Sequence, residues 1–530
     1  MTDQPWWHDM VLYQIYPRSF QDSNGDGIGD LPGIVQRLDH LRWLGVDAIW
    51  LSPTFPSPNH DWGYDVADYR GVHPDLGTLE DMDRLIAEAR ARDLSVLLDL
   101  VPNHTSDEHA WFRDALSSRS ARYRDWYVWA DPKPDGSAPN NWLDVTGQSA
   151  WTLDAASGQY YLHNFLPHQP DLNWWNPEVQ QEFDRILRWW YDRGVAGFRI
   201  DVAHAIIKDR LLRDDPLPEA GTMVGQRRIQ RIRKYSMNRP EVGEVHERWR
   251  ALSDSYDPPR VLVGETITDQ VERWAEFYGP EGLGLSLSFD FPFVFSRFEP
   301  GPLGRVIDES LRALPAGAAG CWVASNHDNS RFPTRWAKGD DRRARMALLL
   351  LTMLPGVVTL YYGDELAMPD VPVPPDRVRD GFVSPTSSHP GRDPERTPMR
   401  WDAGPGAGFT VAGVEPWLPL GGTTPNVAAQ AEDPGSPLHL ARDLLSFRRG
   451  HPEVRRGGPR QVDIDETAGT LVLEHGGETV VACNFSDSPR TLDGVRGRIA
   501  ISSTREREGD AVVGGLKLAP YEGVVVVAAG

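Results

Sequence analysis

Residues 96–104 read Val96-Leu-Leu-Asp99-Leu-Val101-Pro-Asn103-His104, an apolar run that ends in a cluster of polar groups. A continuous apolar run of this length suits a strand buried on both faces, as in a parallel sheet. Comparable runs occur at 11–16, 48–51, 197–202, 261–265, 285–289, 321–325 and 357–362. Amphipathic helical stretches separate most of them, among them 31–44, 79–92 and 177–193; the last opens with Pro177 behind a capping Asn176. Strands alternating with helices, eight of them here, predict an α/β fold, a (β/α)8 TIM barrel.

Two stretches break the alternation. Residues 104–171 are rich in Trp, Tyr, Asp, Pro and Gly, and are far too long for an ordinary strand-to-helix loop. They are expected to form an inserted subdomain, subdomain B, after the third strand. After a helix at 437–449, residues 451–530 carry short runs at 470–473, 479–484 and 523–527 broken by Gly and Asp. That pattern predicts a C-terminal all-β domain, a β-sandwich. The barrel is then assigned to 1–103 and 172–450, with a Pro-, Asp- and Arg-rich loop at 369–405 after the eighth strand.

Composition narrows the partners. Of the 530 residues, 55 are Lys or Arg and 76 are Asp or Glu, so the net charge is 55 − 76 = −21. An acidic surface repels nucleic acid and anionic membranes. The stretch 346–362 is apolar but is cut by Pro355-Gly356, too short and too broken for a bilayer span. Two cysteines, Cys321 and Cys483, sit in apolar runs and read as buried thiols rather than a disulfide framework. Residues 1–8 lack a basic region followed by an apolar run, so they do not read as a signal peptide. The expectation is a cytoplasmic protein, monomer or homo-oligomer, with neither nucleic acid nor membrane as partner.

Barrels carry their chemistry at the C-terminal strand ends. Here those ends hold Asp99, Asn103 and His104 on the third strand, Arg199 and Asp201 on the fourth, Glu265 on the fifth, and Asn326-His327-Asp328 on the seventh. Two carboxyl groups with a third nearby is what retaining glycoside hydrolysis needs: one attacks the anomeric carbon, the other protonates the leaving oxygen and later activates water. Arg199 stands two residues before Asp201, on the same face of the strand. A cation there is expected to hold Asp201 ionised.

With these motifs in order, the sequence resembles the α-amylase superfamily of glycoside hydrolases, family 13, in its bacterial α-glucosidase and oligo-1,6-glucosidase branch. The resemblance runs over nearly the whole chain. It rests on Asp99-Leu-Val-Pro-Asn-His104, Gly197-Phe-Arg-Ile-Asp201, Gly264-Glu265-Thr266, Asn326-His-Asp328 and Arg396-Thr-Pro-Met-Arg-Trp-Asp402. The family implies Asp201 as nucleophile and Glu265 as general acid/base. It implies Asp328 at the 2- and 3-hydroxyls, Arg199 as orienting cation, and His104 and His327 as hydroxyl donors. Asp61 and Tyr64 fall at the glycone subsite, with Tyr64 stacking on the sugar and Asp61 pairing with Arg396 to grip the 4-hydroxyl. Phe165 would be an apolar wall contributed by the inserted subdomain. A charged pair closing the pocket implies exo action on short α-glucosides of the maltose, isomaltose or sucrose type.

The loop Asp22-Ser-Asn24-Gly-Asp26-Gly-Ile28-Gly-Asp30 places oxygen donors at its first, third, fifth and ninth positions, with the Ile28 carbonyl at the seventh. That spacing suits a hard cation, Ca2+ first and Mg2+ second, although Gly33 stands where an EF-hand has Glu. Similar loops in the resembled branch hold Ca2+ structurally, and catalysis needs no cofactor. Val202 follows the nucleophile; in that branch Val goes with α-1,6 and Ala with α-1,4 preference, but Ala203-His204 depart from the common continuation, so linkage stays open. Residues 329–333 lack the arginine-rich pattern of sucrose isomerases. Transglucosylase or sucrose or trehalose isomerase activity, and a non-catalytic sugar-binding scaffold, are the alternatives. Glu265→Gln separates the enzymes from the scaffold.

Overall fold

A computed structural model describes residues 4–218, 223–224, 227–228, 231–268, 270–383 and 391–528. The eight apolar runs form one parallel sheet of β1 Val11–Ile15, β2 Ala48–Leu51, β3 Ser95–Leu100, β4 Gly197–Ile200, β5 Val261–Gly264, β6 Leu287–Ser288, β7 Cys321–Val323 and β8 Val357–Tyr361. Their order is β6-β5-β4-β3-β2-β1-β8-β7, and a parallel bridge from Phe289 to Cys321 closes β6 onto β7. The ladder β6 is shorter than the run 285–289 because the Leu285 N–H turns back to the Phe277 carbonyl, 3.0 Å away.

The helices begin where the sequence supplies caps. Asp30 caps Leu31–Leu44 by accepting the Gly33 N–H, and Gly45 ends that helix in the left-handed conformation (φ 101°). Leu79–Arg90 opens with a reciprocal capping box between Thr78 and Asp81. It stops short of residue 92 as the chain turns through Asp93 (φ 57°) into β3. Asn176 caps Pro177–Asp192 through the Glu178 N–H.

Between β3 and Pro177–Asp192 lie a helix, Ala110–Ser117, and a three-stranded antiparallel sheet ordered Trp129–Ala130, Gln159–Leu162, Trp151–Asp154. Trp142, Trp151, Ala150 and Leu162 are its core. Backbone bridges His104–Asp171 and Tyr127–Leu172 draw its two ends together beside the barrel rim. A second excursion, not expected from the sequence, runs from Val202 to the helix Val242–Asp254 and includes the strand pair Met223–Val224 with Arg227–Arg228.

The C-terminal residues form a six-stranded antiparallel sheet and a strand pair, Arg490–Leu492 with Leu516–Leu518. The strand Gly523–Val527 packs on the barrel helix Asp341–Thr352, where a Cβ at Gly523 would stand 3.2 Å from Met346 Cγ. Cys321 and Cys483 are buried, free thiols. Among the described residues no helix is long and apolar enough to cross a membrane.

Candidate active site

Sheet register builds the centre of the site. Asp99 on β3 is the direct cross-strand partner of Arg199 on β4. Asp201 and Glu265 are the first residues after β4 and β5, each held by a ladder-like bond: Asp201 N–H to the Leu100 carbonyl at 2.8 Å, Glu265 N–H to the Ile200 carbonyl at 2.9 Å. Arg199 is the hub. Its Nη1 lies 2.8 Å from Asp99 Oδ1 and 2.8 Å from Asp201 Oδ1, and its Nη2 lies 2.8 Å from Glu265 Oε2. The Val202 N–H adds a bond of 2.9 Å to Glu265 Oε2. Val202 sits at φ 36°, an unfavourable backbone conformation for a β-branched residue.

Asp201 and Glu265 meet at the Arg199 guanidinium, one on each of its two terminal nitrogens. Burial pushes Asp201 far above the ordinary carboxylate range; Arg199 opposes this, but Glu265 and Asp99 reinforce it. Burial also raises Glu265, with Arg199 opposing and Asp328 reinforcing. The guanidinium expected to hold Asp201 ionised favours that form and is shared among three carboxylates. The proton belongs to the pair, not to either residue. Burial likewise lifts Asp99 to about 7.

Asp328 behaves in the opposite way. Burial alone would raise it, but His327, Arg392 and Arg396 outweigh burial and hold it well below the ordinary range. Arg392 Nη1 and Arg396 Nη2 each lie 2.9 Å from its Oδ1. With its side chain 26 % exposed, against 8 % and 5 % for Asp201 and Glu265, Asp328 is the most open of the three.

Burial keeps His327 neutral, far below its usual pKa. Gln14 Nε2 lies 2.8 Å from its Nδ1, which leaves Nε2–H to face Tyr64 Oη at 2.6 Å and Asp328 Oδ2 at 3.1 Å. The Tyr64 ring lies parallel to His327, centroids 5.3 Å apart. His104 is neutral too, pushed by burial to about 3. Its Nδ1 is 3.0 Å from Asn103 Nδ2, and its Nε2 is 3.1 Å from the Tyr64 carbonyl. Phe165 packs against His104 at a ring distance of 5.0 Å and against the cluster of Val202, Ala205 and Met237.

The pairing expected between Asp61 and Arg396 is replaced by one with Arg392. Asp61 Oδ1 lies 2.8 Å from Arg392 Nη2, whereas Arg396 turns inward, its Nε donating to the His327 carbonyl at 2.7 Å. The short helix Asp393–Arg396 separates the two arginines and points Arg396 into the core. Asp380 fixes Arg392 from behind, 2.8 Å from Nη2 and 3.0 Å from Nε. The other oxygen of Asp61 accepts from Gln169 Nε2 at 3.0 Å.

The fold agrees with known proteins. The sequence profile described as "Alpha amylase, catalytic domain" matches residues 14–457. The chain is 44% identical over 511 residues to a "Probable alpha-glucosidase" of Rhizobium meliloti (strain 1021), covering 93% of this chain and 91% of that protein. It is 36% identical over 531 residues to an "Oligo-1,6-glucosidase" of Heyndrickxia coagulans, covering 92% and 93%. A crystal structure of an alpha-glucosyl transfer enzyme, XgtA, superposes with TM-score 0.91 at 39% identity, covering 99% of this chain and 100% of that one.

The chain belongs to the α-amylase family. It is a glycoside hydrolase of the glucosidase kind.

Three side chains of this glycoside hydrolase's rim were not singled out from sequence. Arg392 lay in a stretch that reads only as a polar loop, four residues before an arginine that carried a motif. Gln169 joins Asp61 to the inserted subdomain. Lys208, from the unexpected excursion, reaches Asp171 Oδ2 at 2.9 Å and Asn103 Oδ1 at 2.5 Å, steadying the chain beside His104. No periodicity marks residues 202–241, so only the isolated lysine in an apolar stretch, Ile206-Ile207-Lys208, hinted at a buried partner.

The loop 22–30 of the hydrolase is wrapped by its own oxygens. Asp22 Oδ1 accepts from the Asn24 and Gly25 N–H groups, Asn24 Oδ1 from Asp26 N–H, and Asp26 Oδ1 from Ile28 N–H. Asp22 Oδ2 also accepts from Gly27 N–H and Thr410. Asp30 is the helix cap, bonded to Gly33 N–H and to Ser23.

Proposed function

We propose that the protein is a retaining, exo-acting α-glucosidase that releases α-glucose from the non-reducing end of short α-glucosides. The observation that carries this reading is the contact of Asp201 and Glu265 on adjacent nitrogens of one buried guanidinium. Retaining carboxyl pairs stand about 5–5.5 Å apart and inverting pairs about 6.5–9.5 Å. Two carboxyls held on the terminal nitrogens of one guanidinium support the close class. Asp201 attacks the anomeric carbon while Glu265 delivers the shared proton to the leaving oxygen; a β-glucosyl ester forms on Asp201 and the glycosidic bond breaks. Glu265, now ionised, takes a proton from water, which attacks from the α face and frees Asp201. Asp328, held ionised by its arginines, favours the positive charge that develops at the ring.

Arg392, bridging Asp61 and Asp328, closes the sugar pocket and supports exo action, because a longer chain has no way past it. Quenched turnover of an activated glucoside followed by peptide mass spectrometry tests the scheme. A gain of one anhydroglucose unit on the Asp201 peptide is expected; an adduct elsewhere, or none, overturns it. A sugar hydroxyl can take the place of water at the second step, so glucosyl transfer accompanies hydrolysis at high substrate concentration. The similarity to the transfer enzyme XgtA supports this second reading.

Burial raises Asp61 to about 6, with Arg392 and Arg396 opposing. It is charged above that pH and neutral below it, so its pairing with Arg392 and its bond to sugar weaken as pH falls through about 6. Profiles of KM against pH are expected to show an acid limb there. Asp61→Asn should remove the limb and hold KM high throughout, by about 10–100-fold, the worth of one charged hydrogen bond. An unchanged limb in that variant would assign it to another group.

Ca2+, or Mg2+ in its place, is proposed at the loop 22–30, through Asp22, Asn24, Asp26, the Ile28 carbonyl and Asp30. Asn24 Oδ1 and Asp26 Oδ1 each accept one loop N–H and keep a second lone pair, and the all-oxygen set suits a hard cation. Chelation should lower the unfolding temperature and leave kcat at low temperature unchanged. Ca2+ at a hundredfold excess over Kd would restore about 2.7 kcal/mol. Asp22→Ala should abolish that restoration; a calcium response that survives it refutes the site. The cytoplasmic placement is supported by two buried free thiols.

A further inference from the structure

We propose that His60, Asp107 and His168 form a binding site for a divalent transition metal of the zinc or nickel kind, at the seam between the loop after β2 and the inserted subdomain. Among the described residues this is the group of His, Cys, Asp and Glu side chains whose ligand atoms all lie within 4.8 Å of one another. Neither the hydrolytic chemistry nor the loop 22–30 uses any of the three.

One contact is in place, and the His60 ring must turn about its side-chain bonds to join it, because the lone pairs of stacked rings lie in near-parallel planes and do not converge on one ion. His168 Nδ1 lies 2.8 Å from Asp107 Oδ2, and the His60 ring lies face to face with the His168 ring, centroids 4.0 Å apart and planes 11° apart. The backbone that carries them is pinned. The Asp107 N–H donates to the His168 carbonyl at 2.9 Å, the His60 N–H to Asp65 Oδ2 at 2.8 Å, and the Ser106 N–H to the Val66 carbonyl at 2.8 Å. The side chains themselves remain open to solvent, His168 at 48 % and Asp107 at 31 %. A metal can therefore enter and the ligands can adjust without moving the chain.

The donor set selects the ion. Two imidazoles and one carboxylate suit zinc, nickel, copper or ferrous iron and do not suit calcium, which wants oxygen. In the metal-free arrangement a proton lies between His168 and Asp107. Zinc would replace it, with arms of about 2.0–2.1 Å, needing the 2.8 Å contact to open to about 3.3 Å for a tetrahedral angle. Three protein ligands leave a position for water.

The location gives the site a consequence. His60 precedes Asp61 and His168 precedes Gln169, and those two neighbours are joined by the 3.0 Å bond at the sugar end of the pocket. A metal on His60 and His168 would add a second tie across the same seam.

The test titrates Zn2+ into metal-stripped protein held in excess Ca2+, so that the oxygen loop is filled. One equivalent is expected to bind by calorimetry, with Co2+ in its place giving a visible d–d spectrum that reports nitrogen ligands. Zn2+ should also raise the thermal midpoint. His60→Ala and His168→Ala should each lose the bound equivalent, the cobalt spectrum and the thermal shift, and Asp107→Asn should weaken binding at least tenfold. Glucosidase activity without zinc shows that each variant is folded. Binding of the same equivalent by both histidine variants, or no saturable binding by the parent protein at 100-fold excess Zn2+, overturns the proposal.

Discussion

Asp201→Asn is expected to lower glucoside hydrolysis by about 10⁴-fold or more, the scale of losing a covalent nucleophile. The substitution keeps the shape beside Arg199 but removes the charge that attacks carbon. The Arg199 guanidinium then has Asp99 and Glu265 as its remaining charged partners, at 2.8 Å each. Folding should survive, because Arg199 stays paired rather than left as a lone buried charge. Chemical rescue makes the test specific. With Asp201→Gly, azide can occupy the vacated space and attack the α-glucoside from the face opposite the leaving group. The product is β-glucosyl azide. Recovery of α-glucosyl azide from that variant would mean that Asp201 is not the nucleophile.

Glu265→Gln is expected to cost about 10²–10⁴-fold on natural disaccharides, the worth of a positioned proton donor. The loss should shrink for aryl glucosides whose leaving group needs no proton, since only the second step then suffers. In Glu265→Ala, azide should intercept the β-glucosyl ester on Asp201 from the other face and give α-glucosyl azide. The two variants thus lead to azides of opposite configuration, a difference that loss of stability cannot mimic. Full activity of Glu265→Gln on maltose or isomaltose would refute the acid role.

The gathering of Asp99, Arg199, Asp201 and Glu265 at one rim was legible in sequence because a barrel strand ties position to chemistry. A polar residue at the end of a buried apolar run has one place to go, the C-terminal rim, and the period of two put Arg199 and Asp201 on one face. Register then paired Asp99 with Arg199 without further assumptions. Loops carry no such rule. The family resemblance implies Arg396 as the partner of Asp61, yet a single short helix turns Arg396 onto the His327 carbonyl and leaves Arg392 facing Asp61. Charge sharing was equally invisible. The sequence shows one arginine beside one aspartate; the fold shows that arginine serving three carboxylates, so the proton on the Asp201–Glu265 pair follows from burial as well as from the nearest cation. The excursion after Val202 was missed because it lacks both helical and strand periodicity, although it supplies Lys208 to the rim.

Val202 shows where local rules and site demands part. Its backbone lies at positive φ, and its N–H is aimed at Glu265 Oε2. Its side chain packs with Ala205 and Met237 against Phe165 from the inserted subdomain. A methyl-scale change there is worth about 1–3 kcal/mol of discrimination between substrates. That is enough to tilt linkage preference and too little to fix it, so comparing maltose with isomaltose decides what the residue type alone does not.

Proton NMR of maltose and isomaltose cleavage, followed from the first seconds before mutarotation, tests the central claim most directly. The double displacement on Asp201 and Glu265 predicts that the released glucose appears first as the α anomer from whichever sugar is cleaved. The relative rates on the two sugars assign the linkage, and new anomeric signals report transfer. Initial release of β-glucose from either sugar would contradict the account, because it would mean a single displacement and no glucosyl ester on Asp201.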